Sequence, residues 1–100
     1  MDYTKSVEAW AEARGLDVCD PKAQMSKLME EVGELARGIN KGNRDQTSDS
    51  LGDIQVVLTV LALQVGLHQD TCFHLAYNVI KDRQGKMVNG VFVKEADLHD

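Results

Sequence analysis

The chain has few of the features that mark secreted, membrane or repeat proteins. Its 100 residues include one proline, five aromatic residues and two cysteines, Cys19 and Cys72. The cysteines fit no metal-ligand spacing, so we expect reduced thiols in a cytosolic protein. The first ten residues lack the apolar segment of a signal peptide. No run reaches the roughly 18 apolar residues of a membrane span.

Size and charge define the broad class. One hundred residues predict a single domain, 1–100. The composition is that of a soluble protein, with 43% hydrophobic residues and a mean hydropathy of -0.30. A net charge of -5 argues against nonspecific binding of nucleic acid, which needs a basic surface. It does not exclude a nucleotide ligand, because a bound Mg²⁺ can invert the local field.

One amphipathic segment, residues 25–41, organises the prediction. Its apolar residues recur at helical spacing, and Glu31 and Glu34 share one flank of the stripe, while Glu30 points further out. Two carboxylates so close at a core margin repel each other, and at least one would be driven toward protonation if both were left unpaired. A metal ion or a basic side chain would relieve the conflict.

The flanking sequence predicts three further helices and a hairpin. A helix over about 3–14 ends near Gly15, and Asp20-Pro21 begins the second helix, which Gly42 stops. Residues 42–48 are predicted to be a polar loop, with Thr47 or Ser48 capping a third helix over about 49–65. A fourth helix follows, from about 69 or 70 to 83, and its apolar side chains are expected to face inward. Asn89-Gly90 between two apolar runs predicts a β-hairpin.

The third helix indicates self-association. It is apolar on nearly all sides, which is typical of a helix buried on more than one face. Because a monomer of this size has difficulty covering such a helix, we expect an oligomer. Asp49 and Asp53 share the face that continues as Val56 and Val60, so both carboxylates are expected to point into a buried region.

The two carboxylate pairs should converge. The connection between the second and third helices is short, so these helices are expected to be antiparallel neighbours. Oxygen ligands alone select hard cations, Mg²⁺ or Mn²⁺, rather than Zn²⁺. The pattern therefore predicts metal-assisted hydrolysis of a phosphoanhydride, with a carboxylate that orients or deprotonates water. Lys81 and Asn78 on the fourth helix are candidates for binding phosphate oxygens.

Simpler interpretations stay open. Lys27–Glu31 and Glu30–Arg37 can be surface ion pairs of little energetic value. Trp10 is either a core anchor or the wall of a ligand pocket. A di-iron bundle would need Glu-x-x-His motifs, and the three histidines supply none.

Three segments carry a family resemblance. KLMEEVGEL, DSLGDIQVVL and AYNVIKDRQGKMVNGVFVKEADL resemble the MazG-like all-α nucleotide pyrophosphohydrolases, most closely the short single-domain members found in bacteriophages and their hosts. The resemblance runs from about Val7 to Leu98. It implies a cytoplasmic protein, bacterial or, if phage-encoded, in the host cytoplasm. It implies an all-α fold of about four helices that form a four-helix bundle by oligomerisation, as a homodimer or homotetramer. The short C-terminal β-hairpin is added to this fold.

The resemblance also implies site residues. Glu31 and Glu34 match the family's ExxE motif and Asp53 the last residue of its ExxD motif, which makes them Mg²⁺ ligands. Ser50 stands where that motif has glutamate, and Asp49 is a candidate replacement ligand. Glu30 resembles the extra acid of an EExxE form, which activates water or binds a second metal. The candidate catalytic residues are thus Glu30, Glu31 and Glu34, and the candidate substrate-binding residues are Lys27, Asn78, Lys81 and Trp10.

The implied activity is Mg²⁺-dependent hydrolysis of a nucleoside triphosphate to the monophosphate and pyrophosphate. Two alternatives stay open. One is hydrolysis of a different phosphoanhydride, such as phosphoribosyl-ATP or an alarmone. The other, favoured by Ser50, is a non-catalytic nucleotide sensor or oligomerisation module.

Overall fold

A computed structural model describes residues 2–98 and contains four helices and one hairpin. The α-helices are α1 (Tyr3–Ala13), α2 (Pro21–Lys41), α3 (Arg44–Gln64) and α4 (Gln69–Ile80). Strands β1 (Gly85–Val88) and β2 (Val91–Lys94) pair antiparallel, with Met87 opposite Phe92. Short 3₁₀ turns occupy Leu16–Val18 and Glu95–Asp97. The predicted mainly helical fold with a C-terminal hairpin is confirmed.

Most of the predicted helix ends and turns are confirmed. Asp20 caps α2 through a 2.8 Å hydrogen bond that Oδ1 accepts from the Lys22 N–H, and Pro21 takes the first helical position. Gly42 ends α2 with a φ of 66°, a left-handed conformation that glycine adopts without steric cost. Asn89 and Gly90 also have positive φ values, 52° and 82°, as a tight hairpin turn requires.

The predicted start of α3 was wrong. The helix begins at Arg44, because the cap is Asn43 rather than Thr47 or Ser48. The Asn43 side chain accepts a 3.1 Å hydrogen bond from the Gln46 N–H. The connection between α2 and α3 therefore contains only Gly42 and Asn43, which makes the antiparallel pair tighter than expected. The end of α4 also differs, since this helix stops at Ile80 rather than Arg83.

The hydrophobic core is small and lies where α1 crosses α3. Its buried apolar residues are Ala11, Val57, Val60 and Ala62. The apolar side chains of α4 were expected to face inward, yet no residue of α4 is buried, and Phe73 is 65% exposed.

Within residues 2–98 no single helix is long and apolar enough to cross a membrane. Taken together, α3 and α4 would be long and apolar enough, but a bend of 103° separates them.

Candidate functional site

The α2–α3 hairpin brings the two carboxylate pairs into one cleft. The helices touch closely near their connection, where a Cβ on Gly38 would lie 2.8 Å from Thr47 Oγ1. This approach places the C-terminal half of α2 beside the first turns of α3. The resulting cleft, of about 540 Å³, is lined by Glu30, Glu31, Glu34, Asn43, Asp45, Gln46, Asp49, Ser50 and Asp53. All four predicted metal-binding carboxylates are among these residues.

Glu34 has two side-chain partners, Gln46 within the cleft lining and Arg37 outside it. Its Oε1 atom pairs with Arg37 at 2.5 Å, and its Oε2 atom accepts a 3.2 Å hydrogen bond from the Gln46 side chain. The same amide donates a 3.0 Å hydrogen bond to the Glu34 backbone carbonyl, so Gln46 ties α3 to α2. In the structure, Arg37 therefore pairs with Glu34. The two ion pairs considered from the sequence were different ones, Glu30–Arg37 and Lys27–Glu31.

The first turns of α3 are more exposed than the sequence suggested. Asp49 and Asp53 are exposed, so the prediction that they face a buried region was wrong for this chain. Apart from Ser50, the buried residues of α3 lie from Val57 onward, beyond both aspartates. Ser50, in contrast, is 3% exposed. A buried hydroxyl thus lies between two exposed carboxylates on the α3 side of the cleft.

The donor set suits a hard cation, although its carboxylates are spread along the cleft. Within the described residues, no three carboxylate, imidazole or thiol groups lie close enough to form a complete metal site. Every charged group lining the cleft is a carboxylate, and the neutral lining residues offer amide and hydroxyl oxygens. Mg²⁺ commonly uses only one or two protein carboxylates and completes its shell with water and substrate phosphates. The oxygen ligands of the cleft are therefore of the kind that Mg²⁺ uses.

Four predicted substrate-binding residues lie outside the cleft lining. Trp10 is 45% exposed and stacks against the Arg14 guanidinium at 4.4 Å, so it is not a core anchor. Asn78 lies 3.1 Å from His74 Nε2, and Lys81 follows α4 as its C-cap. Lys27 is exposed on α2. The structure does not bring these four side chains to the carboxylates.

The sequence prediction missed three residues that line the cleft: Asn43, Asp45 and Gln46. They were assigned to a loop, where no orientation can be inferred. The available signal was Asn43 followed three residues later by Gln46, a spacing that resembles a capping box and marks a helix start. If α3 had been predicted to begin at Arg44, these three residues would have been expected on a helix facing Glu34 of α2.

A second cavity, the apolar groove, was also missed. It measures about 780 Å³ and lies between α1, α3 and α4. Its lining residues are Tyr3, Thr4, Val7, Gly52, Gln55, Val56, Thr59, Gln69, Asp70, Phe73, His74 and Tyr77. Since α3 contributes to both the groove and the acidic cleft, the two cavities are neighbours along one helix.

One histidine links α1 to the start of α4. His68 Nδ1 lies 2.6 Å from Glu8 Oε2, and the Glu8 side chain is only 12% exposed. The hydrogen bond to Glu8 and the charge of Glu8 raise the pKa of His68, against a small opposing effect of desolvation. Asp70 and Glu12 add weaker attraction in the same direction. The contact lies outside the acidic cleft lining and has a structural role.

Comparison with known proteins gives two findings. Residues 20–87 match the family model described as the MazG nucleotide pyrophosphohydrolase domain. A stretch of 61 residues is 48% identical to an uncharacterised 18.2 kDa protein from the rep–hol intergenic region of Haemophilus phage HP1 (strain HP1c1). The match covers 60% of this chain and 37% of the phage protein. No solved structure matches the chain. The family match spans both carboxylate pairs and ends within the hairpin.

Proposed function

Because the chain belongs to the MazG nucleotide pyrophosphohydrolase domain family, we propose that it hydrolyses a nucleoside triphosphate, NTP or dNTP, to the monophosphate and pyrophosphate with Mg²⁺ as the cofactor. One observation carries this proposal. The pair Glu31 and Glu34 and the pair Asp49 and Asp53 line the same cleft, although they come from two helices. Mn²⁺ is the expected substitute, since it accepts similar oxygen ligands.

The residues of the cleft divide into two roles in this proposal. Glu31, Glu34, Asp49 and Asp53 would hold the cation, and a bound cation would neutralise charge on the phosphate chain. Glu30, exposed at the edge of the cleft, positions or deprotonates the attacking water. Glu34 pairs with Arg37 in the structure, and giving up this pair to hold a cation would cost little, because exposed ion pairs contribute about 0–1 kcal/mol.

The product spectrum tests the proposal directly. The protein is incubated with each common NTP and dNTP and Mg²⁺, and the mono- and diphosphates, pyrophosphate and phosphate are resolved. We expect equal amounts of monophosphate and pyrophosphate, lost with EDTA and in Glu34→Gln. Release of diphosphate and phosphate instead would contradict the pyrophosphohydrolase assignment, because it reports cleavage of a different bond.

Ser50 supports a second candidate, a nucleotide sensor without catalysis. This buried hydroxyl occupies the position where the family motif has a carboxylate. If no triphosphate is cleaved, calorimetric titration with Mg²⁺ and with a nucleotide shows whether the site still binds its ligands. Binding of both ligands without turnover favours the sensor or a different phosphoanhydride substrate. Absence of Mg²⁺ binding would mean that Asp49 does not replace the missing ligand.

We also propose that the working form is a homodimer or homotetramer. The apolar groove and the exposed side chains of α4 support this, since a partner copy would remove them from water.

A further inference from the structure

The carboxylate of Glu34 meets a different kind of donor at each of its two oxygens. Arg37 contacts Oε1 at 2.5 Å, and it lies one turn further along the same helix, α2. Gln46 donates a 3.2 Å hydrogen bond to Oε2 from the facing helix, α3. One partner is therefore a cation from the helix that carries Glu34, and the other is a neutral amide from its neighbour.

The Gln46 side chain reaches Glu34 across the surface of Gly38. Gly38 lies one turn after Glu34 on α2, and a Cβ at this position would be 3.3 Å from Gln46 Cγ. The glycine therefore leaves room for the stem of the Gln46 side chain. The amide at its end donates to the Glu34 backbone carbonyl at 3.0 Å as well as to Oε2. Two acceptors on one residue thus hold this amide in place.

The start of α3 does not need the Gln46 side chain as a cap. Gln46 is the third residue of α3, and in a capping box a glutamine there accepts a hydrogen bond from the backbone N–H of the cap residue. The cap residue is Asn43, and its N–H already donates to the Gly38 carbonyl at 2.8 Å. The Gln46 side chain crosses to α2 instead, so its contact with Glu34 is separate from the capping of the helix.

The two partners have opposite consequences for a cation bound at Glu34. A neutral amide uses one lone pair of Oε2 and orients the carboxylate, while the other lone pairs stay available to a cation. The guanidinium of Arg37 carries a full positive charge, which repels a second cation at the same carboxylate. The hydrogen bond from Gln46 is therefore compatible with a bound cation, whereas the ion pair with Arg37 competes with it.

We propose that Gln46 is a positioning residue, which orients the Glu34 carboxylate for a divalent cation, and that Arg37 is the competitor that the cation displaces. The inference rests on the proposed function for the role of Glu34 as a metal ligand. Gln46 acts through Glu34 and needs no contact of its own with the cation or the substrate. Before a cation binds, Arg37 offsets part of the charge of a cleft whose charged lining residues are all carboxylates.

Calorimetric titration with Mg²⁺ alone tests the inference without any need for turnover. Gln46→Met keeps an unbranched side chain of similar length and removes its donor. We expect this variant to raise the Kd for Mg²⁺ by about ten- to a hundredfold, as loss of a hydrogen-bond partner of a metal ligand does. Arg37→Met should instead lower the Kd, by about two- to fivefold, because the exposed ion pair that it removes is weak. Weaker Mg²⁺ binding in Arg37→Met would overturn the competition.

Two matched variants separate these effects from damage to the fold and from net charge. Gln64→Met removes a comparable bond, because Gln64, also on α3, donates to the Leu16 carbonyl at 2.9 Å outside the cleft. Lys22→Met removes one positive charge at the other end of α2 from Arg37. Both controls should leave the Kd for Mg²⁺ close to the wild-type value. Equal weakening in the two glutamine variants would overturn the inference, because both would then act by loosening the fold.

The Mg²⁺ dependence of hydrolysis provides a second measurement. If Gln46 acts by improving cation binding, Gln46→Met should need more Mg²⁺ for half-maximal activity and recover most of its kcat when Mg²⁺ is saturating. A loss of kcat that no Mg²⁺ concentration restores would contradict a role in cation binding.

The titration and the product assay together distinguish this inference from the proposed function. Weaker Mg²⁺ binding in Gln46→Met alone, in a protein that cleaves no triphosphate, would keep the positioning role and refute the activity. Hydrolysis by the wild type with unchanged Mg²⁺ affinity in Gln46→Met would refute the positioning role and keep the activity. A wild-type protein that binds no Mg²⁺ would overturn the inference, because it requires Glu34 to be a ligand.

Discussion

At the scale of single residues, the four predicted metal-binding carboxylates of the cleft differ in exposure, since Glu31 and Glu34 are half-buried whereas Asp49 and Asp53 are exposed. The spacing of Glu31 and Glu34 predicted a shared flank, and the structure places both in the cleft, half-buried at its margin. The burial of Asp49 and Asp53 was misjudged, because an apolar face stays buried only where another helix lies over it. Periodicity shows which side of a helix a residue occupies, but not how far along the helix a neighbour extends.

Glu34→Gln and Asp53→Asn should therefore abolish hydrolysis while leaving the fold intact. Both side chains are at least partly exposed, and the Glu34–Arg37 pair contributes about 0–1 kcal/mol at most. We expect activity to fall by at least about a hundredfold, since loss of even the outer-shell partners of metal ligands costs up to that much. Product assays and melts followed by circular dichroism measure the two effects. Asp17→Asn, outside the cleft, is the control, and a variant that unfolds would mean that its carboxylate is structural.

At the scale of elements, the helix ends marked by glycine and the helix start marked by proline could be predicted from the sequence. The start of α3 could not. Gly15, Gly42 and Gly66 adopt left-handed conformations that glycine favours, so these positions signal the ends of helices in the sequence itself. Arg44 to Ser48 form a polar run with no apolar periodicity. Their helical state depends on the Asn43 cap and on packing against α2, and neither is visible in a hydrophobic pattern.

The close approach of α2 and α3 can be tested by adding one methyl group. Gly38→Ala places a Cβ 2.8 Å from Thr47 Oγ1 and 3.0 Å from the Thr47 backbone nitrogen, so the helices must separate. We expect this overpacking to cost about 1–3 kcal/mol, more than the gain in helix propensity. Because the shift moves Gln46 away from Glu34, activity should fall as well.

Gly33→Ala is the matched control for that prediction. It lies on the same helix, and a Cβ there meets no atom within 4 Å. This variant should raise Tm, since alanine favours a helix over glycine by about 1 kcal/mol. Thermal melts of the two variants should shift in opposite directions. A rise in Tm for both would show that the α2–α3 contact has room to relax.

The contact between His68 and Glu8 predicts a pH dependence of stability. The pKa of His68 is raised in the folded protein by the Glu8 hydrogen bond and charge, so folding favours the protonated imidazole. The stabilisation is fully present below the unfolded pKa of about 6.5 and is lost as the pH rises through the raised folded pKa. We expect Tm to decline over this window in the wild type and to decline less in His68→Gln. An NMR titration that finds the His68 pKa at or below 6.5 would contradict the assignment.

At the scale of the whole molecule, the chain is more extended than a compact domain of its length. Its radius of gyration is 16.6 Å, whereas a compact domain of this length has about 13 Å. The oligomer proposed above stays a prediction, and it was expected from the sequence because α3 has apolar residues on nearly all sides. What the sequence could not predict was the position of the uncovered surface, since that depends on how α4 turns away from α3.

The apolar groove should be where self-association is most sensitive to substitution. Phe73 lies in the groove on α4 and is 65% exposed, so a charge there would be buried against an apolar surface if a second copy covers it. We expect sedimentation velocity to find a homo-oligomer for the wild type and a monomer for Phe73→Asp at micromolar concentration. Val18→Asp is the control, because Val18 is 83% exposed and lies outside the groove. A monomeric wild type, or equal dissociation of both variants, would mean that this groove is not the surface through which copies associate.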